Sequence, residues 1–100
     1  MEKDDRLLAA VARICDRFGD SVELVDHWDA DLLALGISRR DEPKRLVYIS
    51  MLPDQDGRFD VSLELPPRAG SELPYEDAGW HHGLDLGEVS ELVASHLGLS

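Results

Sequence analysis

Four histidines are the side chains in this sequence best suited to acid–base or metal chemistry. His81 and His82 are adjacent, His27 follows Asp26, and His96 lies in the last helical pattern. Metal sites on a helix need histidines three or four residues apart, and adjacent histidines on a strand point to opposite sides of a sheet. The adjacent pair therefore supplies one ligand to each face, and we predict no metal site and no cofactor.

Nucleophilic side chains give no stronger signal. The sequence contains no G-x-S-x-G turn, and its glycines are scattered rather than gathered into a phosphate-binding loop after a strand. Cys15 is the only cysteine and falls among the apolar positions of a predicted helix, so we interpret it as a core residue. We therefore expect no enzymatic activity. The alternative is a small hydrolase that uses His27 or His81 with a nearby acid.

Aromatic side chains among carboxylates are the second group of candidates, because interfaces are often anchored by aromatic residues inside a polar rim. Tyr75 and Trp80 have such surroundings in the second half of the chain. The alternative for both is that they pack their segment back onto the sheet. The predicted partner-binding residues are Asp54, Asp56, Asp60, Glu64, Glu72, Tyr75, Glu76, Asp77 and Trp80.

The charge of the chain favours a basic partner. The formal net charge is -11, and residues 51–100 contain ten acidic side chains against two arginines. Nucleic acid and anionic membranes are bound by lysine and arginine, so we expect neither as a direct partner. An acidic surface accelerates the encounter with a basic protein. The alternative is that the acidity serves only solubility.

Length and composition predict one globular domain over residues 1–100. Hydrophobic residues make up 43% and charged residues 31%, too apolar a mixture for a disordered chain. The apolar runs are too short to span a membrane, and the first residues lack the apolar region of a signal peptide. We therefore expect a cytoplasmic protein.

Two segments have helical spacing. The first runs from about Lys3 to Phe18 and ends before Gly19. The second follows Asp85, whose spacing from Glu88 fits a capping box. The apolar stripes that define them are Leu7, Leu8, Val11, Ile14, Cys15 and Phe18 in the first, and Leu86, Val89, Leu92, Val93 and Leu97 in the second.

Between the helices, alternation at every second residue predicts strands at 21–28, 45–52 and 59–65. The turn-rich residues 53–57 join the last two strands into a hairpin.

The remaining segments are less regular. Residues 32–38 fit a strand or a helical turn, and the two assignments stay open. Residues 38–44 form a charged turn around Pro43, and residues 66–80, with three prolines and two glycines, form a long irregular loop.

The order of these elements predicts an α+β fold. We expect an antiparallel sheet of about four strands, flanked by an N-terminal and a C-terminal amphipathic helix, because the connections are too short for parallel crossovers. Both helices should cover one face of the sheet. The other face, partly open, is a natural docking surface.

Three stretches carry a family resemblance: Arg45-Leu-Val-Tyr-Ile-Ser, Phe59-Asp-Val-Ser-Leu-Glu-Leu and Glu88-Val-Ser-Glu-Leu-Val-Ala-Ser-His-Leu. Together they resemble small acidic bacterial immunity proteins of polymorphic toxin systems. The resemblance implies a cytoplasmic antitoxin that sterically blocks a toxin, often a basic nuclease, by presenting an acidic surface.

Two binding functions follow from the sequence. The first is an immunity-type inhibitor whose acidic second half docks on a basic protein, a toxin for example. The alternative is a dimeric chaperone of secreted effector proteins. Chaperones of this class are also small, acidic and α+β, and this function would require a homodimer with an exposed apolar groove.

Overall fold

A helix, five strands and a second helix follow one another along the described part of the chain. The computed structural model describes residues 4–25, 33–52, 57–67, 69–70, 72 and 76–99. The elements are α1 (Asp5–Phe18), a 3₁₀ turn (Gly19–Ser21), β1 (Val22–Val25), β2 (Ala34–Arg39), β3 (Glu42–Met51), β4 (Phe59–Leu65), β5 (Glu76–Leu84) and α2 (Leu86–Leu97).

The five strands form one antiparallel meander in the order β1-β2-β3-β4-β5. The α+β class, the antiparallel sheet and the flanking helices are thus confirmed. The fifth strand is the main difference, because residues 76–80 belong to β5 and not to an irregular loop. Gly79 and Gly83 have positive φ angles and interrupt the two-residue period by which a strand is recognised in a sequence.

The inner face of the sheet, which faces the helices, carries the core. Val47 and Ile49 on β3 and Val61 on β4 are fully buried there, together with Leu7 of α1 and Leu97 of α2. Each side chain of this size contributes about 1.5–3 kcal/mol when it is removed from water. The alternation predicted for β3 and β4 is therefore the pattern that attaches both helices to one face.

Both helices have the predicted ends. Asp4 caps α1 by accepting a hydrogen bond from the Arg6 backbone N–H at 2.8 Å. The pKa of Asp4 is lowered by the hydrogen bond from the Arg6 side chain and, to a lesser extent, by this backbone hydrogen bond. In α2 the Asp85 carboxylate accepts from the Glu88 N–H at 2.8 Å, and the Glu88 carboxylate accepts from the Asp85 N–H at 3.2 Å. Gly98 follows with a φ of 67° and ends α2.

Arginines of the β2–β3 hairpin bind the C-terminal end of α2. Arg39 donates to the Leu97 carbonyl and Arg45 to the His96 carbonyl, both at 2.9 Å. His96 Nε2 donates in turn to the Glu64 carbonyl at 2.8 Å. Cations are favoured at this end of a helix, where the last carbonyl groups have no partner within the helix.

Two assignments in the middle of the chain are settled or corrected. The open segment 32–38 contributes β2 from Ala34 onward. The predicted charged turn at 38–44 shrinks to Arg40 and Asp41, because β3 already begins at Glu42. Pro43 is tolerated in β3 because it lies where the register with β2 shifts and no ladder bond needs its missing N–H.

In the part of the chain that the structure describes, neither helix is long and apolar enough to cross a membrane.

Small side chains line the outer face of β2. Ala34, Gly36 and Ser38 are all buried, and a Cβ on Gly36 would lie 2.9 Å from Cδ1 of Leu46 on β3. The Ser38 hydroxyl is fully buried and has no hydrogen-bond partner among the residues that the structure describes. A buried hydroxyl without a partner costs free energy, because it loses its bonds to water.

Replacing Ser38 with alanine is therefore expected to raise the free energy of unfolding by about 1 kcal/mol. Urea unfolding followed by circular dichroism measures the change. Ser50→Ala, on the half-buried outer face of β3, is the control and should change stability by less than about 0.5 kcal/mol. A clear loss of stability in Ser38→Ala would show that the hydroxyl has a partner after all.

The capping box gives a second stability prediction. Asp85→Ala leaves the Glu88 N–H without its acceptor and is expected to lower the free energy of unfolding by about 1 kcal/mol. Asp16→Ala removes an exposed carboxylate within α1 and serves as the matched control. Equal unfolding midpoints for the two variants would contradict a stabilising role of the cap.

Candidate functional site

The outer face of β4 and β5 gathers acidic and aromatic side chains. Strand alternation and the β4–β5 register bring three residues of each strand to this side, away from the helices. We call this surface the Trp80 face; it consists of Asp60, Ser62, Glu64, Asp77, Trp80 and His82.

Two irregularities in β5 bracket Trp80. The pairing with β4 shifts at residues 78–79 and again at 82–83, so that β5 has an extra residue on each side of the tryptophan. Gly79 (φ 126°) and Gly83 (φ 70°) supply the backbone conformations that these bulges need. Bulges redirect side chains and make an edge strand a poor template for pairing with another strand. The irregular β5 therefore presents its outer side chains rather than its backbone.

A hydrogen-bonded pair fixes the surroundings of Trp80. His82 Nδ1 donates to Asp60 Oδ1 at 2.6 Å, and the Gly83 N–H donates to the same oxygen at 3.2 Å. The His82 ring lies 5.5 Å from the Trp80 ring, measured between centroids, with 30° between their planes. Asp60 therefore holds the imidazole, and the imidazole supports one side of the indole.

Trp80 is the most exposed large hydrophobic side chain among the described residues, with 61% of its surface in solvent. The alternative that it packs its segment back onto the sheet is wrong, because β5 is itself part of the sheet and the indole projects from it. Removing this aromatic surface from water would be favourable if a partner covered it.

The structure separates the predicted partner-binding residues into groups. Glu76 pairs with Leu65, and this register assigns it to the helix-facing side. Glu72 is exposed and belongs to neither strand. Those on the Trp80 face are Asp60, Glu64, Asp77 and Trp80. Those outside the described residues are Asp54, Asp56 and Tyr75.

Besides Ser62, His82 is the residue of this surface that sequence reasoning missed. His82 lies two residues after Trp80 in the sequence, but residues 66–80 were expected to form a loop and not an alternating strand. Its pairing with Asp60 depends on the bulge at 82–83, which no local pattern in the sequence reveals.

The Trp80 face is acidic because it contains the carboxylates of Asp60, Glu64 and Asp77, and β4 and β5 contain neither lysine nor arginine. Asp77 Oδ1 accepts a hydrogen bond from the Gly79 N–H at 2.9 Å. Arg58 precedes β4 and its Nη1 lies 3.8 Å from Glu88 on α2, so its charge belongs to the helix side.

His81 lies on the opposite side of β5, beside an open groove of about 650 Å³ against α2. The groove is lined by His81, Leu84, Asp85, Gly87, Glu88, Glu91, Leu92 and Ser95. No side-chain hydrogen bond or ion pair joins the His81 imidazole to another described residue, so none of these residues orients the ring. Within the described ranges, no three histidine, cysteine or acidic side chains are placed to hold a metal ion. His27 lies outside those ranges.

Cys15 is half buried beside the core, on α1. Burial, together with the nearby Asp16, raises the pKa of the thiol. A raised pKa keeps the thiol protonated near neutral pH, and a protonated thiol is a poor nucleophile.

Comparisons with protein-family models, with curated proteins and with solved structures find no match to this chain.

The Asp60–His82 pair predicts how Trp80 is held. Asp60→Ala removes the acceptor of both His82 and the Gly83 N–H, and should lower stability by about 1 kcal/mol and increase the mobility of the indole. The ¹⁵N–¹H heteronuclear NOE of the Trp80 indole N–H measures that mobility. Asp60→Asn retains one acceptor oxygen and is expected to be intermediate. An unchanged NOE in Asp60→Ala would show that Trp80 is held by other contacts.

Proposed function

We propose that this protein is a non-catalytic, acidic binding protein of the cytoplasm that blocks a basic partner protein, in the manner of an immunity protein that inhibits a toxin. The observation that carries the proposal is Trp80: an indole exposed over most of its surface, supported by His82 and surrounded by carboxylates on two strands that contain neither lysine nor arginine.

The affinity would come mainly from burial of Trp80. Tryptophan is among the residues that most often dominate an interface, and its truncation typically costs 2 kcal/mol or more, roughly a thirtyfold loss of affinity. The Asp60–His82 pair orients the ring before binding, so less conformational entropy is lost on association.

The carboxylates would supply discrimination and speed. Asp60, Glu64 and Asp77 surround the indole, and a basic surface that approaches them is attracted over roughly a Debye length, about 8 Å at physiological ionic strength. Such charges chiefly raise the association rate and reject acidic competitors. The protein bound through its Trp80 face then inhibits the partner if it also covers the partner's active surface.

A second candidate, the dimeric effector chaperone, is favoured by one feature at the other edge of the sheet. Leu24 on β1 is 46% exposed beside an apolar groove of about 670 Å³ between α1 and β1. A second copy would have to cover this groove. Sedimentation equilibrium separates the candidates: a homodimer that Leu24→Asp converts to a monomer favours the chaperone, and a monomeric wild type removes it.

The inhibitor proposal is tested by capturing partners of the tagged protein from host lysate at low salt, eluting with high salt, and measuring the affinity of the purified partner by calorimetry. Trp80→Ala is expected to weaken binding at least tenfold. Affinity should also fall steeply as ionic strength rises, because the interface pairs opposite charges.

Two matched controls accompany this measurement. Leu24→Ala removes an exposed apolar side chain from the opposite edge, and Asp16→Asn removes a carboxylate from α1; both should bind like the wild type. A partner that binds Trp80→Ala normally, or whose affinity ignores salt, would contradict docking through the Trp80 face.

A further inference from the structure

Ser62 lies at the centre of a cross of side chains on the outer face. The sheet register pairs it with Tyr48 of β3 on one side and with Trp80 of β5 on the other. Along its own strand, Asp60 and Glu64 lie two residues before and two after it, on the same face. Two aromatic residues thus flank Ser62 across the strands, and two carboxylates flank it along β4.

The spacing of strands gives this cross its dimensions. Neighbouring strands lie about 4.8 Å apart, so the backbones of Tyr48 and Trp80 are about 10 Å apart with Ser62 midway. The carboxylate-bearing residues are each about 7 Å from Ser62 along β4. A cation above Ser62 is therefore one strand spacing from the backbone that carries Trp80, and an indole ring attracts positive charge within roughly 6 Å of its centroid.

We infer that this position receives an arginine side chain of the partner; the inference rests on the proposed function and specifies its contact. The planar guanidinium stacks on an aromatic face, is weakly hydrated, and has five N–H donors. Those donors match the Ser62 hydroxyl between the aromatic residues and the Asp60 carboxylate at one end of the cross. A lysine ammonium is more strongly hydrated and cannot stack.

The acceptors are partly organised in advance. Both described hydrogen bonds to Asp60 go to Oδ1, from His82 and from the Gly83 N–H, and Oδ2 is left for a ligand. The same contacts hold His82 against Trp80. Binding of an arginine would therefore use a carboxylate and an indole that are already oriented.

The test uses the full chain, labelled with ¹⁵N, and two probes of equal charge, octa-arginine and octa-lysine, at low salt. With two tryptophans in the sequence, the Trp80 indole N–H resonance is the one absent from Trp80→Phe. Octa-arginine is expected to shift this resonance and to bind on the order of fivefold more tightly than octa-lysine.

Ser62→Val tests the centre of the cross while keeping every charge and both aromatic residues. The branched side chain suits a strand and fills the space above Ser62, so the preference for octa-arginine should disappear. Leu24→Ala is the control and should retain it. Spectral dispersion shows that each variant is folded.

Equal affinity of the two peptides for the wild type, or a preference that survives in Ser62→Val, would overturn the inference. If a protein partner is found whose binding depends on Trp80, but octa-arginine and octa-lysine bind equally well, the arginine contact is overturned and the proposed function stands. If instead octa-arginine is preferred through Ser62 and Trp80, but no protein partner binds through Trp80, the result supports the arginine contact and counts against the proposed function.

Discussion

Burial of the inner side chains of β3 and β4 is the constraint on which the surface geometry depends. Because side chains alternate, a shift of β4 by one residue would move Val61 from the core into solvent. The register is therefore fixed by the hydrophobic effect acting on the helix-facing side. That same register puts Ser62 between Tyr48 and Trp80 on the outer side, so the geometry of the Trp80 face is determined by residues that take no part in it.

The two bulges in β5 interrupt the regular pairing between β4 and β5. An unbroken strand at this edge would pair more evenly with β4 and would use fewer glycines, which lose more entropy on folding than other residues. The two bulges instead bring His82 and Gly83 to one carboxylate oxygen of Asp60. Departures from local rules in an otherwise consistent fold are most often found at functional positions. The Trp80 face is the part of this structure that fits that description.

Sequence patterns predicted the elements whose periodicity is unbroken. Both helices and the β3–β4 hairpin were found, since their apolar positions recur regularly and Asp85 marks the start of α2. The segment that became β2 stayed ambiguous because residues 34–38 are buried on both faces and leave no alternation to recognise. The start of β5 was assigned to a loop because its bulges break the two-residue period. The acidic and aromatic composition of the site was therefore visible, whereas the partnership of Asp60 with His82 needed the sheet register.

The arginine contacts at the end of α2 join parts of the chain that are far apart in sequence. Arg39 and Arg45 reach across 58 and 51 residues to carbonyl groups of the last helical turn, whereas each strand of the meander pairs only with its neighbour. A meander stabilised only by neighbouring pairs could lose a terminal element without losing the rest. Because α2 is bound to the β2–β3 hairpin at its end and shares the core along its length, fraying of the helix is coupled to opening of the sheet. The thermodynamic consequence is a single cooperative unit, in which the strands that present Trp80 unfold together with the helix behind them.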